Sequence, residues 1–307
     1  MANYRRNVGP SSHEVVCEVH AVYEIRLPCP ALRRFIECYW FVNATGGLAN
    51  QLEELVFTDA RADIVFTFGS PYRRVVPQQP EREQVIGSSN VDAQRRYPVR
   101  VLQHGQLNLI GVRFRPGGLA PFVRLPVHEL SGYTVGLTDA FGPPGAELEG
   151  RLFETTGQHR LQARLLDEFF VSRLTILPEY DRVMGWAEAI EKRDGLVSIR
   201  SLSQDVGLSI RSVDRLFRRI IGLPPKFFAR TVRLRRVHYQ LMHNKTVGWE
   251  DIVASYGYFD QSHFAKDIKA LTGVELDAYR AYLSRARAAP PPNHVQFLQD
   301  SSGTAGL

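Results

Sequence analysis

The amino-acid sequence predicts an α+β protein: a β-rich N-terminal domain, built as a sandwich or barrel, then a helical connector and an all-α C-terminal domain. Three observations support this prediction. Residues 13–145 are rich in β-branched and aromatic residues between turn signals, the residues after 145 carry apolar side chains at helical spacing, and the last third repeats one helix-turn-helix pattern. A chain of 307 residues, 44% of them hydrophobic, is long enough for two cores.

The N-terminal domain, residues 1–145, is expected to be an antiparallel sheet. The segments EVVCEVHAVYEI, EELVFTD, RADIVFTFG and LNLIGVRF have strand composition, and no regular helices separate them. One short segment, ALRRFIECYWFV, is expected to begin as a helix after Pro30.

The connector, residues 146–177, follows the break at Gly142-Pro143-Pro144-Gly145. Its apolar stripe, which includes Leu161, Leu165 and Phe169, suits either packing within the chain or a homodimer interface. Pro178 ends the connector, residues 178–287 are helical throughout, and the tail 288–307 has the composition of a disordered segment.

The positive charge is concentrated in the C-terminal domain. Residues 178–287 hold 19 Lys and Arg against 13 Asp and Glu, which accounts for the whole net charge of +6. The rest of the chain is balanced, so the C-terminal domain is the expected partner of nucleic acid.

A repeat centred on Gly207 and Gly257 carries the functional argument. Apolar residues stand eight, five and one residues before each glycine, and a longer amphipathic segment follows it, SIRSVDRLFRRIIG in one copy and DQSHFAKDIKALTG in the other. A short helix, a glycine turn and a longer helix make up the helix-turn-helix plan, and a sharp turn with positive φ favours glycine.

The outward faces of the two longer helices are the predicted DNA-binding surface. Ser209 and Asp260 are suitable N-caps. Arg and Gln can form bidentate contacts with guanine and adenine edges, while Lys and Ser more often hold phosphates. The predicted DNA-binding residues are Ser209, Arg211, Ser212, Asp214, Arg215 and Arg218 in the first copy, and Gln261, Ser262, Ala265, Lys266 and Lys269 in the second.

Between the copies, PPKFFARTVRLRRVHYQLM predicts a linker helix about 28 Å long, near one turn of B-DNA. On this helix Arg233 and Arg236 are expected either to pack or to contact phosphate. Nine basic residues and one acid lie between Arg211 and Arg236.

The C-terminal segment resembles the AraC/XylS-type transcription regulators, most specifically in GYFDQSHFAKDIKALTG and in GLSIRSVDRLFRRIIGLPPKFFAR. The resemblance covers roughly 105 residues. It implies a seven-helix DNA-binding domain joined to a sensing or dimerisation domain. It also places the base-reading positions at Arg211, Asp214, Arg215, Gln261, Ser262, Ala265 and Lys266.

Two departures affect the second copy. The usual Arg-Glu-Phe after His-Phe is Lys266-Asp267-Ile268, and the usual Thr-Pro after the last glycine is Glu275-Leu276. The segments ADIVFTFG and GVRFRPGGLAPFVRLPVHEL resemble a front domain found before such modules in uncharacterised members, which implies a regulatory or sensor role without naming a ligand.

Double-stranded promoter DNA and RNA polymerase are therefore the expected partners. The expected location is the cytoplasm, without a membrane segment. A small-molecule effector and a homodimer are both possible. Arg113 and Arg115 are candidates for binding an acidic effector, and the alternative role for either is to fix the glycine loop by bonding carbonyls.

No cofactor, catalytic residue or metal ligand is expected, because His13, His20, His104 and His128 are isolated and Cys17, Cys29 and Cys38 form no CxxC pair. The rival hypothesis is a DNA-repair or metal-dependent enzyme fused to the same DNA-binding module.

Overall fold

A computed structural model of the chain describes residues 21–77, 79–243 and 249–288. The first predicted strand lies partly, and the predicted disordered tail almost wholly, outside these described residues. An antiparallel sheet comes first and is followed by helices, which confirms the α+β class. The strands are β1 (Ala21–Arg26), β2 (Ile36–Val56), β3 (Asp63–Thr67), β4 (Tyr72–Val76), β5 (Gln79–Ile86), β6 (Asn90–Asp92), β7 (Val99–Phe114) and β8 (Thr134–Gly136).

Two long strands, β2 and β7, organise the sheet. They pair along their whole length, but their register shifts between Ala44 and Leu52, opposite Gly105, which has φ of 69°. One half of the sheet has the order β1-β2-β7-β3-β6-β8, and in the other half β7 pairs with β4, which pairs with β5. Register shifts of this kind bend strands, so β2 and β7 run from one half of the sheet into the other around a shared interior.

The segment after Pro30 is less helical than expected. A single 3₁₀ turn spans Pro30–Leu32, and β2 then begins at Ile36. The apolar run from Phe35 to Val42 alternates little, so its pattern does not separate a buried strand from a buried helix. The segment's pairing with β7 makes it a strand.

Helices fill the remainder of the chain. A second 3₁₀ turn (Ala120–Phe122) and two short helices, α1 (Val127–Leu130) and α2 (Leu137–Phe141), precede the connector. The connector contains α3 (Pro143–Glu154), which begins at the predicted break because proline suits the first helical position, and α4 (His159–Arg173). Among the described helices, none combines the length and apolarity needed to cross a bilayer.

Seven further helices follow among the described residues, the number that the resemblance implies. They are α5 (Tyr180–Lys192), α6 (Ile199–Asp205), α7 (Ile210–Ile221), α8 (Pro225–His243), α9 (Trp249–Ser255), α10 (Gln261–Thr272) and α11 (Leu276–Ala288). Buried apolar side chains form one continuous cluster from the sheet to these helices, so the front of the chain and the C-terminal helices share a core.

Candidate nucleic-acid interface

The first helix pair consists of α6 and α7, joined at Gly207, whose φ is 66°. Val213, Phe217 and Ile220 of α7 are fully buried. The Ser209 hydroxyl accepts a hydrogen bond from the Ser212 backbone N–H at 3.1 Å and caps α7, as predicted. The apolar face of α7 is thus fixed against the core, and its opposite face is left to solvent.

The outward face of α7 presents two cations. Arg211 and Arg215 are exposed, and among the described residues neither has an ion-pair partner. Arg218 differs, because its Nε lies 2.6 Å from Oδ2 of Asp214 one turn earlier. Of the predicted contacts on this helix, Arg211 and Arg215 are the side chains that DNA can engage without breaking an existing pair.

The second helix pair, α9 and α10, repeats this geometry around Gly257, whose φ is 63°. Oδ1 of Asp260 accepts a hydrogen bond from the His263 backbone N–H at 2.7 Å, and Nδ1 of His263 accepts one from the Phe259 N–H at 3.3 Å. These reciprocal bonds cap α10. His263 thus takes part in the cap of α10 in this structure.

The exposed face of α10 carries Gln261, Ser262 and Lys266, while Ala265 is half-buried. Lys269 forms an ion pair with Glu275. Lys266 and Lys269 also line a groove whose opposite wall comes from the front of the chain, at Val76, Gln79 and Tyr97. The N-terminal end of α10 is therefore the part that is open to a ligand.

The linker helix α8 is much less exposed than its basic sequence suggests. Arg235 and Arg236 form ion pairs with Glu191 (Nη2–Oε1, 2.8 Å) and Asp194 (Nε–Oδ1, 2.8 Å). Arg233 donates a hydrogen bond to the Gly195 carbonyl at 3.5 Å. These contacts favour packing over phosphate contact for Arg233 and Arg236, two alternatives that the sequence left open.

A further arginine of α8 joins the linker to the second helix pair. Arg230 donates hydrogen bonds from Nε and Nη2 to Oδ1 of Asp267, at 3.1 and 2.7 Å, and Asp267 is only 8% exposed along its side chain. The departure from the family pattern at this position, Asp267, thus has a structural role in placing α10 on α8.

In the front domain, Arg113 lines a cavity of about 140 Å³ within the bent sheet. Its guanidinium is 2% exposed and donates to both carboxylate oxygens of Asp63, at 3.1 and 2.9 Å, with Asp59 at 3.3 Å from Nη2. Burial by itself lowers the pKa of Arg113, but Asp63 and Asp59 outweigh it and raise the pKa above its ordinary value. Arg113 is therefore a charged, already neutralised side chain inside the domain.

Arg115 lies apart from this cavity. It is exposed, and its Nε donates a hydrogen bond to the Arg33 carbonyl at 2.9 Å. Its own carbonyl accepts from the Gly118 N–H at 2.8 Å. The two predicted effector residues are not brought together, and Arg115 bonds a carbonyl of the turn before β2.

Two observations in the described ranges bear on metal and cysteine chemistry. They contain no group of three or more His, Cys, Asp or Glu side chains with metal-binding geometry. Cys38 is 1% exposed, and burial raises the pKa of its thiol well above the ordinary value. A thiol in this setting is not poised as a nucleophile. Cys17 lies outside the described residues.

Sequence reasoning missed two features. Phe259, directly before the cap of α10, is 92% exposed, and a single aromatic residue in a turn gave no signal. The charged lining of the front cavity, Arg74 and Asp92, was also missed. The available signal was the pair of arginines in YRRVV, a segment of strand composition; in the structure the second of them, Arg74, is 4% exposed.

Two family models match the sequence. Residues 24–136 match a domain of unknown function (DUF6597), and residues 202–282 match a helix-turn-helix domain. No curated protein matches the chain.

Several solved structures are matched at low sequence identity. ToxT from Vibrio cholerae has 9% identity and a TM-score of 0.42, with 80% of this chain and 98% of that chain covered. ToxT from V. cholerae O395 has 11% identity and a TM-score of 0.42, with coverage of 78% and 96%. The AraC-like transcriptional activator CuxR has 12% identity and a TM-score of 0.22, with 90% of each chain covered.

Residues 202–282 therefore match an AraC-type helix-turn-helix domain, and residues 24–136 match a family of unknown function.

Proposed function

We propose that this protein is a sequence-specific regulator that binds promoter DNA through both helix pairs, each acting as a helix-turn-helix unit. The observation that carries the proposal is the matched exposure of α7 and α10. Each has a buried apolar face, a side-chain cap at its N-terminus and exposed long polar side chains beside that cap. The N-terminal residues of a recognition helix are the ones that reach base edges in the major groove.

Within this interface the residues divide by chemistry. Arg211, Arg215 and Gln261 have the donor geometry to contact base edges, and Ser262 and Lys266 suit phosphate or mixed contacts. Ser209 and Ser212 contribute their hydroxyl groups to the DNA-binding surface near the start of α7. Asp214 and Arg218 would first exchange their mutual ion pair for contacts to DNA. Ala265 and Lys269 are the remaining residues of the proposed DNA-binding surface on α10.

The front domain is proposed to modulate DNA binding in response to an effector, with Arg113 at the effector site and Arg115 outside the cavity. Recruitment of RNA polymerase in the cytoplasm would complete the regulatory action. A homodimer remains part of the proposal. Within the connector stripe, Leu165 packs inside the chain at 6% exposed, as do the adjacent Leu166 and Phe170, whereas Leu161 is 38% exposed.

The test begins with selection of genomic DNA fragments bound by the full chain, followed by titration against the selected site and a scrambled duplex. The double variant Arg211→Ala/Arg215→Ala should lose most of the preference for the selected site. The matched control Arg160→Ala/Arg164→Ala removes the same charge from the exposed face of α4 and should keep the preference. Equal losses in both double variants would reduce the interface to a general charge effect and refute readout by α7.

A further inference from the structure

The cavity in the front domain has apolar walls and a polar end. Val42 of β2, Val65 of β3 and Leu107 and Leu109 of β7 form part of the walls, and Asp63 and Arg113 contribute the polar end. Its volume of about 140 Å³ is close to that of a cavity that takes up one benzene molecule. An occupant of one aromatic ring or similar size therefore fits.

Three buried donors at this cavity have no hydrogen-bond partner among the described residues, namely Nε1 of Trp40, Nε of Arg74 and Nη1 of Arg113. Trp40 is opposite Gly111 in the β2–β7 register, and a Cβ on Gly111 would stand 1.7 Å from the indole. The glycine thus allows the indole to lie against β7 at the cavity wall. A buried donor without an acceptor is costly, and an acceptor atom within the cavity would satisfy the donors of Trp40 and Arg113.

The charges around the cavity select against an anionic occupant. Glu54, Asp63 and Asp92 line it together with only two arginines, Arg74 and Arg113. Asp63 already binds Arg113 through both oxygens, and Asp92 binds Arg74 at 2.9 Å. A carboxylate ligand would add a further negative charge to a lining whose two arginines are already paired with carboxylates.

We propose that this cavity binds a small uncharged molecule, about one aromatic ring in size, whose acceptor oxygen takes hydrogen bonds from Trp40 and Arg113. We further propose that binding of this molecule in the cavity is communicated from Arg113 to α10 through the loop of residues 57–62. The ligand half of the proposal stands on the cavity alone, and the communication half rests on the proposed DNA-binding function.

The 57–62 loop touches both the cavity residues and the second helix pair. Asp59 contacts Nη2 of Arg113 at 3.3 Å. Its neighbour Thr58 donates two hydrogen bonds to the carbonyl of Leu271 in α10, from Oγ1 at 3.1 Å and from the backbone N–H at 3.2 Å. Phe57 packs edge-on against Tyr279 and Tyr282 of α11.

Asp59 is held less firmly by Arg113 than Asp63 is, because it has one contact where Asp63 has two hydrogen bonds. An acceptor at Nη1 that pulls the guanidinium toward the cavity therefore loosens Asp59 first. Ala60 has a φ of 60°, which is unfavourable for alanine, so this loop stores backbone strain that a shift can release. Any displacement of Thr58 acts directly on the last turn of α10.

The binding half is tested on the full chain with acetophenone, ethylbenzene and benzoate, followed by tryptophan fluorescence and thermal stability. Acetophenone should bind at millimolar concentration or below. Ethylbenzene, which has the same size but no acceptor, should bind about 3- to 10-fold more weakly, and benzoate more weakly still. In Trp40→Phe the difference between acetophenone and ethylbenzene should shrink.

Two substitutions give matched controls for the location. Val65→Phe fills the cavity and should abolish the binding of acetophenone, while Val85→Phe, at a site 70% exposed on β5, should leave it unchanged. The ligand class would be overturned if benzoate or ethylbenzene bound as tightly as acetophenone. The site would be overturned if Val65→Phe still bound acetophenone. Absence of acetophenone binding up to its solubility limit would also overturn it.

The communication half uses the selected operator duplex. Acetophenone should change the operator affinity of the unmodified chain at least fivefold. Phe57→Leu/Thr58→Val, which removes the aromatic contact and the hydroxyl bond, should bind acetophenone normally and lose this change. The control Phe153→Leu/Thr155→Val, at the C-terminal end of α3, should keep it. If acetophenone binds but never alters operator affinity, the communication is refuted and the ligand site stands; if the unmodified chain shows no sequence preference, the proposed function fails by itself.

Discussion

Arg215 is the side chain on which the proposed readout by the first unit depends most directly, because it is exposed on α7 and has no ion-pair partner among the described residues. We expect Arg215→Ala to lose about 1–3 kcal/mol of binding free energy on the selected site and to relax the preference at one base pair. Binding to scrambled DNA should fall much less. Titrations of both duplexes measure the difference.

Arg236 is the matched control for this substitution. It carries the same charge on α8, but it already forms an ion pair with Asp194. Arg236→Ala should leave the dependence of affinity on salt concentration nearly unchanged, whereas loss of a phosphate contact would reduce the slope by about one. If Arg215→Ala weakened both duplexes equally, α7 would be a backbone clamp, and specificity would have to reside in α10.

Cys38 provides a residue-scale test of the rival enzymatic hypothesis. Burial raises the pKa of its thiol, so the thiolate fraction at neutral pH is lower than for an exposed cysteine. We expect Cys38 in the native chain to resist alkylation by iodoacetamide, and to react once the chain is unfolded, as measured by peptide mass spectrometry. Rapid native alkylation of Cys38 would point to a reactive cysteine and favour the rival.

At the scale of elements, the Arg230–Asp267 contact sets how α10 sits on α8. Because Asp267 is buried, Asp267→Asn leaves Arg230 with a weaker acceptor, and we expect a loss of about 1–3 kcal/mol in the free energy of unfolding. Urea unfolding measures this loss. Affinity for the operator should fall with it, since the second unit loses its fixed placement.

Asp277→Asn is the control for that substitution. Asp277 also pairs with an arginine, Arg280, but its side chain is 92% exposed. A surface pair of this kind contributes little, so the free energy of unfolding should change by less than about 0.5 kcal/mol. Equal effects of Asp267→Asn and Asp277→Asn would mean that the buried contact does not position α10.

Elements with local signals were predictable from sequence, and elements fixed by distant partners were not. The caps of α7 and α10 follow from Ser209 and Asp260, because a cap involves residues three apart. The strand that begins at Ile36 depends on pairing with Phe114, 78 residues later, and its apolar run alone suits a helix equally well.

The same distinction applies to the candidate sites. The exposed face of α7 follows from its helical period, so Arg211 and Arg215 were predictable as outward residues. The contact of Arg236 with Asp194 depends on how α8 packs beside the end of α5, which no spacing within α8 records. The cavity beside Arg113 depends on the bend in β2 and β7, and only the folded sheet brings Trp40 to its wall.

At the scale of the whole molecule, the front domain and the DNA-binding helices share an extensive interface. Phe35 and Tyr180 pack with ring centroids 5.6 Å apart. The Ser131 hydroxyl donates a hydrogen bond to the Gly222 carbonyl at 2.9 Å, at the end of α7. With the Thr58 contact to Leu271, α7 and α10 are thus both held by the front domain at their C-terminal ends.

The interface determines what we expect of a fragment that contains only residues 178–287. The fragment retains its own buried residues, including Phe217, Phe228 and Phe264, so we expect it to fold and to shift operator DNA in a gel. Separation uncovers Tyr180 and Met184, and each newly exposed large side chain costs roughly 1.5–3 kcal/mol at most. Its melting temperature should therefore be lower than that of the full chain.

Met184 allows this cost to be assigned to the interface. Its sulfur would stand 2.8 Å from a Cβ on Gly117, which places it directly against the front domain. Met184→Gln should destabilise the full chain, where that contact exists, and leave the fragment nearly unaffected.

A fragment of residues 1–145 should not bind the operator, because the excess positive charge lies beyond it. Sequence-selective binding by that front fragment, or a folded 178–287 fragment with no DNA binding at low salt, would contradict the division of labour between the two halves.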